Sequence, residues 1–169
     1  MDPSPSRTLV LPDEAATLAL GRALAPILAD PASRAALLLR GGLGSGKTTL
    51  VRGLAEALPG GHEAEVASPS FNIVNVYPTR PETYHVDLYR IPQGDASVDE
   101  HLEVAAEAEA IVAVEWAEYL RPAALPEDRL EIEWLPADTG RRCRITAAGR
   151  RGRAALAALI DFSPEGSGT

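Results

Sequence analysis

Lysine is nearly missing from this chain of 169 residues: of its 16 basic residues only one, Lys47, is a lysine. Arginine serves wherever either cation would do. The lysine that remains marks a place where a compact ammonium, not a planar fork, is wanted. Cysteine is equally scarce. The single thiol, Cys143, excludes an internal disulfide, and with three scattered histidines it cannot anchor a zinc cluster. No apolar run approaches the roughly 18 residues a membrane helix needs, which excludes a helical span. The first residues, Met1 to Arg7, are rich in Pro and Ser and lack the basic start and apolar core of a signal peptide. A cytoplasmic protein with no membrane partner is the expectation. Nor is there a surplus of positive charge. A formal net charge of −8 argues against a protein that grips nucleic acid over its whole surface.

What is present is an ordinary globular composition, 46% hydrophobic and 24% charged, in a chain long enough for one domain with a real core. One local charge run stands out: Arg141, Arg142, Arg144, Arg150, Arg151 and Arg153 with no acid among them. Charge runs are usually solvated faces, here with Glu131 and Glu133 available across a hairpin, and that reading is preferred to a docking patch for RNA or an acidic partner.

Periodicity divides the chain into alternating strands and helices. Arg7 to Leu11 reads as a short strand, followed by a helix opened by Pro12-Asp13-Glu14 and closed near Ala29 by Asp30-Pro31. Ala35 to Leu39 is a continuous apolar run, as in a strand buried on both faces. A helix from Lys47 to Leu58 follows. Phe71–Tyr77 and Thr83–Ile91 predict a hairpin around Pro78-Thr79-Arg80-Pro81. Ser97 with Glu100 has the spacing of a capping box for a helix to about Ala108. Ile111 to Val114 predicts a central strand, 130–135 with 141–147 a second hairpin, and Arg153 to Ile160 a last helix. The expected fold is α/β: one P-loop NTPase-like domain over 7–162, with a mixed parallel and antiparallel sheet and helices on both faces. Residues 1–6 and 163–169 are expected to be disordered.

The segment that carries chemistry is Gly41-Gly42-Leu43-Gly44-Ser45-Gly46-Lys47-Thr48, a full match to G-x-x-x-x-G-K-[ST] between a buried strand and a helix. A chance match in a chain this long is on the order of one per cent. Glycines let backbone N–H groups of Gly42, Leu43, Gly44, Ser45 and Gly46 turn inward on a phosphate, and the helix beginning at Lys47, Thr48 and Thr49 adds its dipole. Lys47 would reach the β- and γ-phosphates, and the Thr48 hydroxyl would ligate Mg²⁺. Two acids lie where a metal-shell or water-orienting carboxylate belongs, Asp87 in a β-rich run and Glu115 directly after Ile111–Val114. His85 shares a strand face with Asp87; a structural histidine is preferred to a metal-shell one. Trp116, beside Glu115, is read as a core aromatic in preference to a nucleotide contact.

Four segments then recur in one order: 41–50, Ser68-Pro69-Ser70-Phe71-Asn72-Ile73-Val74, Tyr84-His85-Val86-Asp87-Leu88-Tyr89-Arg90, and Val114-Glu115-Trp116. Over roughly 37–116 the chain resembles the TsaE (YjeE) family, the bacterial ATPase of tRNA threonylcarbamoyladenosine synthesis. The resemblance implies a small ATPase that binds ATP and Mg²⁺, hydrolyses slowly, and works with TsaB and TsaD to modify adenosine 37 of tRNA, which it meets indirectly or through the complex. It implies that Lys47 and the loop amides hold phosphate, that Thr48, Asp87 and Glu115 surround Mg²⁺, and that Lys47, Asp87 and Glu115 serve catalysis. Ser70 falls where the family commonly has threonine, in a loop that senses the γ-phosphate, and Ala117 stands where a proline is common. The alternatives are a small-metabolite kinase, a nucleotide-binding scaffold without useful hydrolysis, and a GTP-driven switch. The last would need a Lys in an Asn/Thr-Lys-x-Asp motif, and Lys47 is already in use. No arginine finger is identifiable, although Arg90 and the basic segment are available.

Overall fold

Three successive leucines organise the molecule. In the computed structural model, which describes residues 3–68, 72–92 and 94–164, Ala36–Arg40 (β2) carries Leu37, Leu38 and Leu39 with no solvent exposure. Neighbouring side chains on a strand point to opposite faces, so both faces at β2 must be covered. Leu37 and Leu39 enter a large core with Glu14–Ala29 (α1), Lys47–Ala57 (α2) and Gly149–Ala158 (α4). Leu38 enters a smaller one with Val98 and Leu102 of Ser97–Glu107 (α3) and with Ala117 and Leu120. Helices therefore lie on both faces, as expected.

The remaining strands are Ser6–Leu11 (β1), Val74–Tyr77 (β3), Thr83–Asp87 (β4), Ile111–Glu115 (β5), Arg129–Leu135 (β6) and Arg141–Ala148 (β7). They form one sheet in the order β1-β7-β6-β2-β5-β4-β3. β2 is parallel to β5 and β6, and β4 is parallel to β5, whereas β3–β4, β6–β7 and β1–β7 are antiparallel. Both predicted hairpins form. The first is shorter than expected, because the chain turns immediately after β4, where Asp87 Oδ1 accepts the Tyr89 N–H at 2.9 Å. Phe71 lies outside the described residues.

Asp13 caps α1 by accepting the Ala16 N–H at 2.8 Å. Two helix starts differ from expectation. Ser97 does not cap α3 but is its first residue, and the Asp95 carboxylate, two residues upstream, accepts the Ser97 N–H at 2.9 Å. The last helix begins at Gly149, four residues early, because Asp128 Oδ1 reaches in from the β6 side to accept the Arg151 N–H at 2.8 Å. Arg7 donates to the carbonyls of Leu159 and Phe162, joining the first strand to the end of the chain. Of the segments expected to be disordered, 1–6 and 163–169, residues 1–2 and 165–169 lie outside the described residues, whereas Ser6 pairs with Thr146 and the Pro5 carbonyl accepts the Ala147 N–H at 2.9 Å, so the sheet begins earlier than expected. α1 and α2 cross backbone to backbone: a Cβ on Gly53 would stand 2.3 Å from the Leu18 carbonyl oxygen, and one on Gly21 2.2 Å from that of Leu50. This crossing holds the N-terminus of α2 in place.

Candidate functional site

The turn from β2 into α2 uses backbone angles that only glycine adopts easily. Gly44 has φ 71° and Gly46, which caps α2, has φ 119°. No side chain caps α2 and no acid occupies its first turn, so its first N–H groups face an electropositive opening suited to an anion. Lys47 folds back over this loop. Its Nζ donates to the carbonyls of Gly41 at 2.6 Å and Gly42 at 2.9 Å, with Ser45 Oγ at 3.4 Å. Burial pulls the Lys47 pKa below its ordinary value, against the opposing attraction of Glu115, Glu118 and Asp87.

The acids stand on the neighbouring strand ends. Glu115 closes β5 and is only 2% exposed. The Thr48 hydroxyl donates to Glu115 Oε1 at 2.6 Å and lies 2.8 Å from Ser68 Oγ, which itself reaches Glu115 Oε2 at 3.4 Å. Asp87 closes β4 directly opposite Glu115 in the parallel register. Burial and the neighbouring Glu115 hold the Asp87 carboxyl above its ordinary range. Burial also pushes Glu115 up, but His85 and the Thr48 hydroxyl pull harder, and its net direction is down. His85, fully buried, bonds Tyr77 Oη through Nδ1 at 2.8 Å. Its Nε2 points at Glu115 Oε2 from 3.6 Å, too far for a hydrogen bond. The structural role preferred for His85 matches its bond to Tyr77, yet its other nitrogen faces the site.

Among the described residues no three His, Cys, Asp or Glu side chains close on one point. A hard cation that keeps several waters and takes phosphate oxygens does not require such a cage. One hydroxyl and two adjacent carboxylates offer the hard oxygen ligands that suit Mg²⁺. The chain's single thiol, Cys143, is buried in β7 within the large core and takes no part in this set.

A cleft of about 730 Å³ opens above these groups. Leu43 through Thr49, Asp87 and Glu115 line it together. Gly42 does not; its carbonyl holds Lys47, and a Cβ there would touch nothing. Ser70 lies outside the described residues. Trp116 corrects its expected place. Left-handed at φ 57°, it swings off the end of β5 so that its ring covers Lys47 Nζ at 4.3 Å to the centroid, flanked by Tyr89 at 4.8 Å and Tyr119 at 5.9 Å. It edges the small core but faces the cleft. Sequence reasoning misses Ser68, whose only signal is a hydroxyl in the loop before β3, and Arg141, which reads as one solvated charge in the basic run. Of that run only Arg144 takes its predicted partner, Glu133 at 2.6 Å; Glu131 turns to Arg40 and Arg129.

A family model described as threonylcarbamoyl adenosine biosynthesis protein TsaE matches residues 11–144. The chain is 38% identical over 140 residues to the tRNA threonylcarbamoyladenosine biosynthesis protein TsaE of Aquifex aeolicus, covering 82% of this chain and 95% of that one. It is 39% identical to the Streptomyces coelicolor protein of the same name, covering 78% and 90%, and 30% identical to that of Haemophilus influenzae, covering 91% and 98%. The crystal structure of Bacillus subtilis YdiB superposes with a TM-score of 0.69 at 26% identity, covering 95% of this chain and 97% of that one.

Proposed function

Because the chain belongs to the TsaE family of threonylcarbamoyl adenosine biosynthesis proteins, we propose that it is the Mg²⁺-dependent ATP-binding and ATP-hydrolysing component of tRNA N6-threonylcarbamoyladenosine modification, acting with TsaB and TsaD. The observation that carries this reading is the 2.6 Å bond from Thr48 to Glu115. It ties the hydroxyl that follows the loop lysine to the acid at the end of the adjacent strand, where a nucleotide's terminal phosphates and their cation would meet.

The chain's own groups divide the work. Loop amides and the α2 N-terminus bind the phosphates, and Lys47 leaves the carbonyls of Gly41 and Gly42 for the β- and γ-phosphate oxygens. Thr48, Asp87 and Glu115 are the residues that would hold magnesium. When bound, the ion supplies neutralisation of charge on the transferring phosphoryl group. Glu115, fixed by hydroxyls on both oxygens, orients the attacking water. Water forms the new P–O bond while the bond to the bridging oxygen breaks, leaving ADP and phosphate. Trp116 and its flanking tyrosines shield Lys47 from solvent.

Arg90 lines the cleft but is exposed and has no carboxylate partner among the described residues, so nothing fixes it on a phosphate. Without an arginine fixed on the γ-phosphate beside Lys47, turnover runs about 10³–10⁵-fold below a stimulated rate, and a partner-coupled rate follows. Leu43, at the tip of the loop, is 75% exposed and offers an apolar contact at the mouth of the cleft. The test is phosphate release by purified protein, alone and with TsaB and TsaD, together with threonylcarbamoyladenosine content of tRNA after depletion and complementation. Slow release that rises with the partners, and complementation lost with Lys47→Ala, are the expected results. Brisk hydrolysis indifferent to partners would overturn the coupling.

A further inference from the structure

Arg141 enters the cleft from the side opposite the carboxylates. β2 delivers the phosphate loop with β5 and β4 on one flank and β6 and β7 on the other. Glu115 and Asp87 end β5 and β4, whereas Arg141 begins β7. Its Nη1 donates to Thr17 Oγ1 at 3.3 Å, a hydroxyl fully buried in α1. A Cβ built on Gly46 would come within 3.0 Å of the same Nη1, so the guanidinium lies against the last glycine of the loop, where α2 begins.

What distinguishes Arg141 is how little holds it. Ion pairs with carboxylates engage Arg22, Arg40, Arg52, Arg121, Arg129, Arg144 and Arg151. Arg7 and Arg34 have no such pair but direct their N–H groups at two and three backbone carbonyls. Among the described residues, the other arginines without a carboxylate are exposed. Arg141 is half-buried, has five donors, and makes one long bond to a neutral hydroxyl. A half-buried guanidinium that lines the cleft beside a phosphate loop, held by one neutral hydroxyl, keeps donors open to an anion there.

Lys47, Thr48, Asp87 and Glu115 gather at the terminal-phosphate end, and the loop amides serve the middle of the phosphate chain. The flank left to Arg141 faces the nucleoside end. We propose that Arg141 is a nucleotide-binding residue that neutralises the phosphate nearest the nucleoside, in diphosphate and triphosphate alike, and not an arginine directed at the γ-phosphate. This rests on the reading that the cleft binds a nucleotide and adds which group holds which phosphate.

The test is calorimetric titration of the full chain with Mg-ADP and with Mg-ATP, for wild type, Arg141→Gln and Arg141→Lys, with Lys47→Ala as a control on the site. Arg141→Gln weakens both nucleotides by the same factor, roughly tenfold to a hundredfold, the loss of one charge-assisted contact. Arg141→Lys, which keeps charge and loses the fork, falls between. Glutamine can still reach Thr17, so the thermal midpoint without nucleotide stays near wild type, which separates binding from a structural role. If the Gln variant does not fold, the Lys variant decides: an equal loss for both nucleotides supports the assignment, and unchanged affinity overturns it. A loss confined to Mg-ATP also overturns it, because it would move Arg141 to the γ-phosphate. Affinities unchanged in both Arg141 variants while Lys47→Ala abolishes binding defeat this inference and leave the nucleotide site standing. Normal binding by Lys47→Ala as well defeats the nucleotide site with it.

Discussion

Two hydroxyls and an imidazole surround one carboxylate, and the most direct residue-scale consequences concern that group. Glu115→Gln keeps the volume and an oxygen for Thr48 but removes the charge. ATP hydrolysis should fall about 10²–10³-fold, the usual effect of deleting one preorganised electrostatic contact, and a phosphate-release assay measures it. Lys47 sits 4.3 Å from the Trp116 ring centroid, so its departure toward phosphate changes the indole's surroundings. Mg-ADP should alter tryptophan emission, and Trp116→Phe should remove most of the change, because the other tryptophan, Trp134, lies in the large core with its Cβ behind Gly41. An undiminished emission change in the Phe variant would refute that placement. Cys143 does not line the cleft and is fully buried, with burial pushing its thiol up to about 11. Native protein should resist thiol reagents until unfolded. The folded state keeps the thiol proton at a pH where the unfolded chain gives it up, so this contribution is intact below the unfolded thiol's pKa and is lost as pH rises toward 11. Between about pH 8 and about pH 10.5, wild type should lose more stability in denaturant melts than Cys143→Ala does.

At the scale of elements, the crossing of α1 and α2 sets the position of the phosphate-binding helix end. Alanine in place of glycine favours an isolated helix by about 1 kcal/mol. At Gly53 a methyl carbon would stand 2.3 Å from the Leu18 carbonyl oxygen, and overpacking of this kind costs about 1–3 kcal/mol. The clash wins. Gly53→Ala should lower Tm by about 5 °C and weaken nucleotide binding, checked by thermal melts with and without Mg-ADP. A Tm at or above wild type would mean the helices part freely. Elements whose signal is continuous are legible in the amino-acid sequence itself. The short apolar run over 35–39, set between a helix stop and a glycine-rich turn, reads as a doubly covered strand, and the full glycine-lysine-threonine pattern reads as a phosphate cradle. Asp87 and Glu115 are legible because each ends a β-rich run. Starts and reaches set by distant residues are not. Asp128 caps α4 from 23 residues away, which local spacing near Arg153 cannot reveal. Arg141 resembles one charge in a solvated run because its value depends on Thr17 and Gly46, remote in sequence. Trp116 resembles a core residue because it directly follows a buried strand; only its left-handed backbone turns the ring outward over Lys47.

Across the whole molecule, a single mixed sheet puts the loop after β2 between two acidic strand ends and a basic one. Among the described residues no helix is long and apolar enough to cross a membrane. With a net charge of −8, binding to bare tRNA should be weak and should vanish at moderate salt, leaving contact through partner proteins as the route to the modified nucleotide. A gel-shift titration at two salt concentrations checks this, and tight salt-resistant binding would contradict it. The pathway reading depends first on this turn of glycine amides and one ammonium closing on the phosphates of a nucleotide. Isothermal titration of the purified chain with Mg-ATP, beside Lys47→Ala, measures that directly. The account predicts saturable one-to-one binding by wild type and binding at least tenfold weaker, or absent, in the variant. No heat of binding in wild type, or equal affinity in both, would contradict it.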